Sequence, residues 1–243
     1  MEKVIVICGP TASGKTSLGV ELAKKINGEV VSCDSMQIYK DMTIGTAKPR
    51  EDETEGIPHH LIDFVSPDKR YSVADYKKDA EEAIKDIIDR NKFPIIVGGT
   101  GLYVDSLIYG IDFPNVEYDE EYRNKLMEYA ETENGLKELY EKAKKIDPEA
   151  VSKISNNDKK RIIRILEIYN STGLTKTELE IKSRENGPAY DYRVFAINMD
   201  RDKLYERINL RVDLMIKEGL VEEVQNLIEK YSAFPTAMQG LRI

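Results

Sequence analysis

The stretch Gly9–Thr16, GPTASGKT, constrains this chain more than any other, because it satisfies G-x-x-x-x-G-K-[ST] and lies between a strand and a helix. Val4–Cys8 is a short β-branched, apolar run that stops at Gly9, as a buried parallel strand does. Lys15–Ile26 then reads as a helix. In that setting Gly9 and Gly14 let the backbone curl so that its N–H groups face inward, and the candidate anion site comprises Gly9, Pro10, Thr11, Ala12, Ser13, Gly14, Lys15 and Thr16. A diphosphate or triphosphate would collect these donors and the positive end of the helix, with Lys15 between phosphates and Thr16 as a ligand to Mg²⁺.

The rest of the chain repeats this alternation. A second strand, Glu29–Cys33, follows Gly28 and leads into a polar, loop-rich stretch, Asp34–Pro49. From Ser72 a helix is predicted, since Tyr76, Ala80, Ala83, Ile84, Ile87 and Ile88 recur at helical spacing. Phe93–Val97 gives another buried strand, ending at GGTG (Gly98–Gly101), so two glycine-containing turns fall at strand C-termini, where parallel sheets bind ligands. A further strand is expected at Tyr192–Asn198, with helices at Asp202–Ile216 and Val221–Tyr231. The fold class is α/β, a P-loop-containing, doubly wound, mainly parallel sheet. Between Pro114 and Pro188 the sequence turns charged, helical and strand-free, too long for a connection within an α/β unit. An all-helical insertion domain is expected there, giving a first core part at 1–113, the insertion at 114–190 and a second core part at 191–243.

A formal net charge of −8 argues by itself against a nucleic-acid binder, because phosphate contacts need Lys and Arg. The insertion is polarised, however: residues 117–149 carry 6 Lys/Arg against 11 Asp/Glu, and residues 151–184 carry 8 against 4. From spacing alone, KKRIIR (Lys159–Arg164) reads as the solvated face of a helix that buries Ile162, Ile163, Leu166 and Tyr169. Cys8 and Cys33 stand 25 positions apart in apolar runs and read as small buried residues, and His59 and His60 read as loop-packing residues. No apolar run reaches the length of a membrane span, no signal-peptide pattern opens the chain, and a cytoplasmic protein without membrane association is expected.

A phosphate loop does not name a reaction, and read alone it admits ATP-binding kinases, NTPases and transferases alike. Asp34, at the end of the second strand, is placed to ligate the metal, act as general base or cap a turn. Thr100 offers a hydroxyl to the same anion or serves turn chemistry. Arg207 and Arg211, four apart, put two guanidiniums on one helical face, with surface pairing to Glu206 or Asp213 as the ordinary alternative.

Taken together, GPTASGKT, DSMQIYKDMTIGTAKP, PHHLID, GGTGLY, NDKKRIIRILE and RINLRVDLM resemble, in order and over nearly the whole chain, the bacterial tRNA dimethylallyltransferases, a family of tRNA isopentenyltransferases. Six ordered motifs are far more specific than one phosphate loop. The resemblance implies transfer of a dimethylallyl group from dimethylallyl diphosphate to the exocyclic amine of the adenosine just 3′ of the anticodon, with diphosphate leaving. It implies Asp34 as the base and Lys15, Thr16, Thr100 and Arg207, with Mg²⁺, at the departing diphosphate. A stacked adenine must be flipped to reach such a site. By the same match Asp34, Ser35, Met36, Gln37 and Thr100 would meet the base. Arg123, Lys160, Arg161, Ile162, Ile163 and Arg164 would meet the tRNA anticodon loop, which reverses the solvated-face reading of KKRIIR and leaves one basic face on an acidic protein.

Family members continue past the segment matching FPTAMQGL (Phe234–Leu241), so a C-terminally truncated member, working as a monomer, is expected. Two other enzymes remain compatible with the loop: a small-molecule kinase in which Asp34 activates a hydroxyl, and a transferase that prenylates free adenine nucleotides.

Overall fold

Strand β1 (Lys3–Cys8) is apolar at successive positions, and the two-residue period of a strand sends Val4 and Val6 to one face and Ile5 and Ile7 to the other. Such a strand is stable only with cover on both sides. In the computed structural model, which describes residues 1–113, 119–231, 235, 237 and 238, the chain continues through α1 (Lys15–Ile26), β2 (Gly28–Cys33), α2 (Glu51–Thr54), β3 (His59–His60), α3 (Val73–Asp89), β4 (Phe93–Gly98) and α4 (Gly101–Ile108). Five helices follow, α5 (Glu120–Tyr129), α6 (Gly135–Ile146), α7 (Pro148–Ser152), α8 (Lys159–Thr172) and α9 (Lys176–Lys182). The chain closes its described elements with β5 (Asp191–Ala196), α10 (Arg201–Lys217) and α11 (Leu220–Lys230).

The five strands form one parallel sheet in the order β3-β2-β4-β1-β5. Val4, Val6, Val31, Cys33 and Ile96 face Tyr76, Ala80, Ile84 and Ile87 of α3 and Tyr103, Val104 and Leu107 of α4. From the opposite face Ile7, Val30, Ile95 and Val97 pack with Ala23 of α1. Helices therefore cover both faces, as a doubly wound sheet requires, and each large aliphatic side chain so buried contributes about 1.5–3 kcal/mol.

Helix α3 starts where Ser72 and Asp75 form a capping box, each side chain meeting the other residue's backbone N–H. Its buried stripe is Tyr76, Ala80, Ile84 and Ile87, while Ala83 and Ile88 are half-buried at the margins. The last strand sits one to two residues earlier than the apolar run suggests, because its pairing to β1 matches Lys3 with Asp191 and Cys8 with Ala196. Cys33 is buried, but Cys8 is only half-buried at the sheet's open end, contrary to the expectation for both.

His59 and His60 are not loop residues. They form the edge strand β3, paired to Val30 and Val31, which two residues are too few to signal. His60 Nε2 lies 2.7 Å from Oε2 of Glu29, a buried carboxylate on β2. Arg90 grips both Glu29 oxygens at 2.6 and 2.8 Å, and Lys92 Nζ adds a bond of 2.6 Å. Arg90 foremost, then Lys92 and His60, hold the Glu29 carboxyl well below its ordinary range despite the opposing cost of burial.

By packing the chain separates into two units, Met1–Tyr109 with Pro188–Ile243, and Gly110–Gly187. The second contains helices α5 to α9, whose core joins Leu126, Leu139, Ala143, Val151, Ile162, Ile163, Ile165 and Leu166. Tyr169, assigned to that core from spacing, is 43% exposed, since Ile165 and Ile168 take the buried positions instead. Pro114, the expected first residue of the insertion, lies outside the described residues, as do Phe234, Thr236, Gln239, Gly240 and Leu241 of the expected family segment. No helix of the described residues is long and apolar enough to cross a membrane.

Removing the charge of Glu29 should lower stability at neutral pH by about 2–3 kcal/mol, the scale expected when one member of a buried ion pair is removed. Because the folded state depresses this carboxyl, its contribution is full above the ordinary value of 4.5 and is lost as pH falls toward the folded value. The stability difference between wild type and Glu29→Gln, read from urea midpoints, should therefore shrink steadily below about pH 4.5.

Candidate active site

Parallel register aligns three strand ends. Cys8 of β1 pairs with Gly98 of β4, and Gly98 pairs with Cys33 of β2. A Cβ on Gly98 would lie 2.0 Å from the Cys33 carbonyl oxygen, so only glycine permits this approach. The phosphate loop leaves β1, Asp34 leaves β2, and Gly99 and Thr100 leave β4, all from that one level.

The loop curls through left-handed conformations at Ala12 (φ 63) and Gly14 (φ 91). Gly14 is the N-cap of α1 and supplies no side-chain cap, so the helix starts with backbone donors that no capping side chain has taken. Lys15 Nζ donates to the Pro10 carbonyl at 2.6 Å. Burial pulls the Lys15 ammonium below its ordinary range, Asp34 opposes that pull, and Arg211 adds to it. Ser13 Oγ, in the same loop, is buried with no hydrogen-bond partner among the described residues. A cleft of about 420 Å³ runs beside the loop, lined by Ala12–Ser17, Glu53, Arg207, Leu210, Arg211 and Leu214. Helical periodicity brings the α10 members to it, and the leucines at i+3 and i+7 from Arg207 were readable from the same spacing that marked the arginines.

Of the roles open to Asp34, the turn is visible directly: Oδ1 accepts from the N–H groups of Met36 at 2.9 Å and Gln37 at 3.3 Å. The turn aims the carboxylate, and Asp34 is the main charge supporting the Lys15 ammonium. Thr100 occupies the N-cap position of α4 without capping it. Its hydroxyl instead accepts from Ser35 N at 2.9 Å and donates toward Ser35 Oγ at 3.3 Å, joining the β4 turn to the Asp34 turn. Arg207 Nε donates to the Ala12 carbonyl at 2.7 Å, across nearly the full length of the core sequence, and places the guanidinium on the phosphate loop. Asp34, Ser35, Met36, Gln37, Thr100, Arg207 and the whole of Gly9–Thr16 are thus gathered at one sheet edge.

Lys48 is missed by motif reasoning. Its buried ammonium donates to the Tyr39 carbonyl and the Asp63 carboxylate, pinning the loop that follows Asp34. The TAKP segment that contains it was readable only as a family match.

In the helical unit, Lys160, Arg161 and Arg164 are exposed on α8. Arg161 pairs with Asp158 at 3.3 Å and Arg164 with Glu167 at 3.6 Å. Arg123 of α5 meets both Glu167 oxygens at 2.9 and 3.0 Å. Ile162 and Ile163 cannot touch RNA through their side chains, because both are fully buried in the core of that unit. The motif marks them because they seat the helix that displays the basic residues.

The family model for IPP transferase matches residues 37–243. The tRNA dimethylallyltransferase of Acetivibrio thermocellus is 51% identical over 242 residues, covering 99% of this chain and 77% of that protein. The crystal structure of the full-length tRNA isopentenylpyrophosphate transferase of Bacillus halodurans superimposes with a TM-score of 0.68 at 41% identity, covering 98% of this chain and 74% of that one. A eukaryotic dimethylallyltransferase acting on tRNA gives a TM-score of 0.77 at 35% identity, covering 96% of this chain and 57% of that one. These likenesses extend well beyond a phosphate loop and span nearly the whole sequence: the chain belongs to the IPP transferase family.

Proposed function

We propose that this protein transfers a dimethylallyl group from dimethylallyl diphosphate to the exocyclic amine of the adenosine 3′ of the anticodon in tRNA. The observation that carries the reading is the placement of Asp34 within electrostatic reach of Lys15, so that a proton acceptor and a diphosphate grip share one strand-end level. Relatives at about half identity bear the matching activity in their names.

The adenine amine is a weak nucleophile, its lone pair delocalised into the ring. As that nitrogen bonds to the allylic carbon, the carbon–oxygen bond breaks and its electron pair leaves on diphosphate, while the amine proton passes to the Asp34 carboxylate. The Met36 and Gln37 N–H bonds to Oδ1 hold that carboxylate in place. Loop N–H groups, Lys15 and Arg207 stabilise the diphosphate as charge builds on it. Thr100 locks Ser35, and with it the Asp34 turn, against the β4 end, where the adenine would lie.

The Thr16 hydroxyl, lining the cleft next to Lys15, fits the oxygen-donor preference of Mg²⁺, which binds through one or two protein groups plus substrate phosphates. Held by Thr16 and the diphosphate, Mg²⁺ would neutralise the leaving group. On the helical unit, Lys160, Arg161, Arg164 and Arg123 would hold RNA, Arg161 exchanging its Asp158 partner for a phosphate. We read the protein as acting as a monomer in the cytoplasm, where tRNA resides.

Incubation with dimethylallyl diphosphate and an anticodon stem-loop should yield a prenylated adenosine; phosphorylation of a metabolite by ATP, with RNA inert, would make the protein a kinase instead. Preference for AMP over the stem-loop would point to free nucleotides. Asp34→Asn should lower kcat by about 100-fold or more while stem-loop affinity changes by less than about twofold. Near-wild-type turnover in that variant would remove Asp34 as the base. Replacing Lys160, Arg161 and Arg164 with Ser should weaken stem-loop binding and flatten its dependence on log salt, by roughly 0.7 for each phosphate no longer neutralised. An unchanged slope would return this face to plain solvation.

A further inference from the structure

Helix α11 reaches the loop after Asp34 with a carboxylate. Glu223 Oε2 accepts from the N–H groups of Thr43 at 2.9 Å and Ile44 at 2.7 Å, and Oε1 accepts from Gly45 N at 2.9 Å. Three successive N–H groups aimed at one point form an anion-binding nest, and here a side chain 180 positions away from Thr43 fills it. The carbonyls of the same turn face other partners. Gln37 Nε2 donates to Thr46 O at 3.3 Å and Ala47 O at 3.0 Å, while Gln37 Oε1 accepts from Ser32 Oγ at 3.2 Å. The Ala47 carbonyl also receives Arg211 NH2 at 3.5 Å, and Arg211 lines the cleft beside Lys15.

Ala47 sits at φ 49, a conformation that costs an L residue energy and persists only when its surroundings enforce it. Within the turn, Ala47 N donates to Ile44 O at 2.9 Å and Lys48 N to Thr43 O at 3.0 Å, and Glu223 fixes the amide side of the same turn from outside through its three bonds. We propose that Glu223 is a positioning residue for prenyl transfer: through the Thr43–Ala47 turn it sets the Gln37 amide beside Asp34 and the Arg211 guanidinium at the diphosphate cleft. This inference rests on the prenyl-transfer reading of the site. The structure also provides its control. The same helix makes a second tie to the same loop, Lys230 Nζ and Tyr231 Oη to Asp41 Oδ2, both at 2.8 Å, and neither touches the turn.

Glu223→Gln keeps the size of the side chain but opposes amide hydrogens to backbone N–H groups. In that variant kcat/KM for dimethylallyl diphosphate should fall about tenfold, the worth of one charge-assisted contact misplaced. The Kd for inorganic diphosphate, measured by calorimetry, should rise severalfold, and amide exchange at Thr43, Ile44 and Gly45 should quicken. Stem-loop affinity and the thermal midpoint should hold, and Lys230→Met should leave all the kinetic values at wild type. Full turnover with unchanged diphosphate affinity in Glu223→Gln, or an equal loss in Lys230→Met, would overturn the proposal. A wild-type protein that prenylates nothing, yet loses diphosphate affinity on Glu223→Gln, would retire the prenyl-transfer reading and keep the positioning role toward the diphosphate cleft.

Discussion

The backbones of β4 and β2 meet at Gly98 closer than any side chain would permit, and the rest of the site is arranged around that approach. With β1, β4 and β2 in parallel register, Cys8, Gly98 and Cys33 stand side by side, and the chain leaves each strand at the same height. Parallel strands deliver their loops to one edge, so the phosphate loop from β1, a carboxylate from β2 and a hydroxyl from β4 arrive together without any long excursion. In the proposed reaction the loop's donors are mostly main chain, set by φ and ψ, and would need little ordering when an anion binds.

Around this level, charges are used in two different ways. Glu29, near the opposite end of β2, is buried and satisfied by Arg90, Lys92 and His60, and its energy goes into holding the edge of the sheet. On α8, exposed Arg161 pairs across the surface with Asp158, where such pairs contribute about 0–1 kcal/mol, and it can trade partners at small cost. An acidic protein can therefore keep a face able to meet a polyanion without a net positive charge.

Much of this was legible in the order of residues. Lys15–Ile26 is helical as read, because a phosphate-loop motif marks its start and the continuous apolar runs of the flanking strands mark the sheet. What escaped reading depends on distance or brevity. β3 is two residues long and exists through pairing with β2, which no local pattern announces. Ile162 and Ile163 were assigned to RNA by membership of a motif, although helical spacing had placed them inside, where they lie. Spacing failed in turn at Tyr169, since a stripe three or four residues wide does not say where its margin falls. Glu223 had no signal at all: its partners are backbone amides on a loop from the other end of the sequence.

The support that Asp34 lends to Lys15 bears on how their contributions are apportioned. Asp34 is the principal charge opposing the pull of burial on the Lys15 ammonium. Each is part of the other's environment, so their energies do not add, and the loss on removing either includes a share belonging to the pair. A double-mutant cycle across the two would report a coupling energy between the proposed proton acceptor and the proposed anion holder. It would thereby show how far, in the proposed reaction, grip on the leaving group and proton removal from the nucleophile operate as one electrostatic unit.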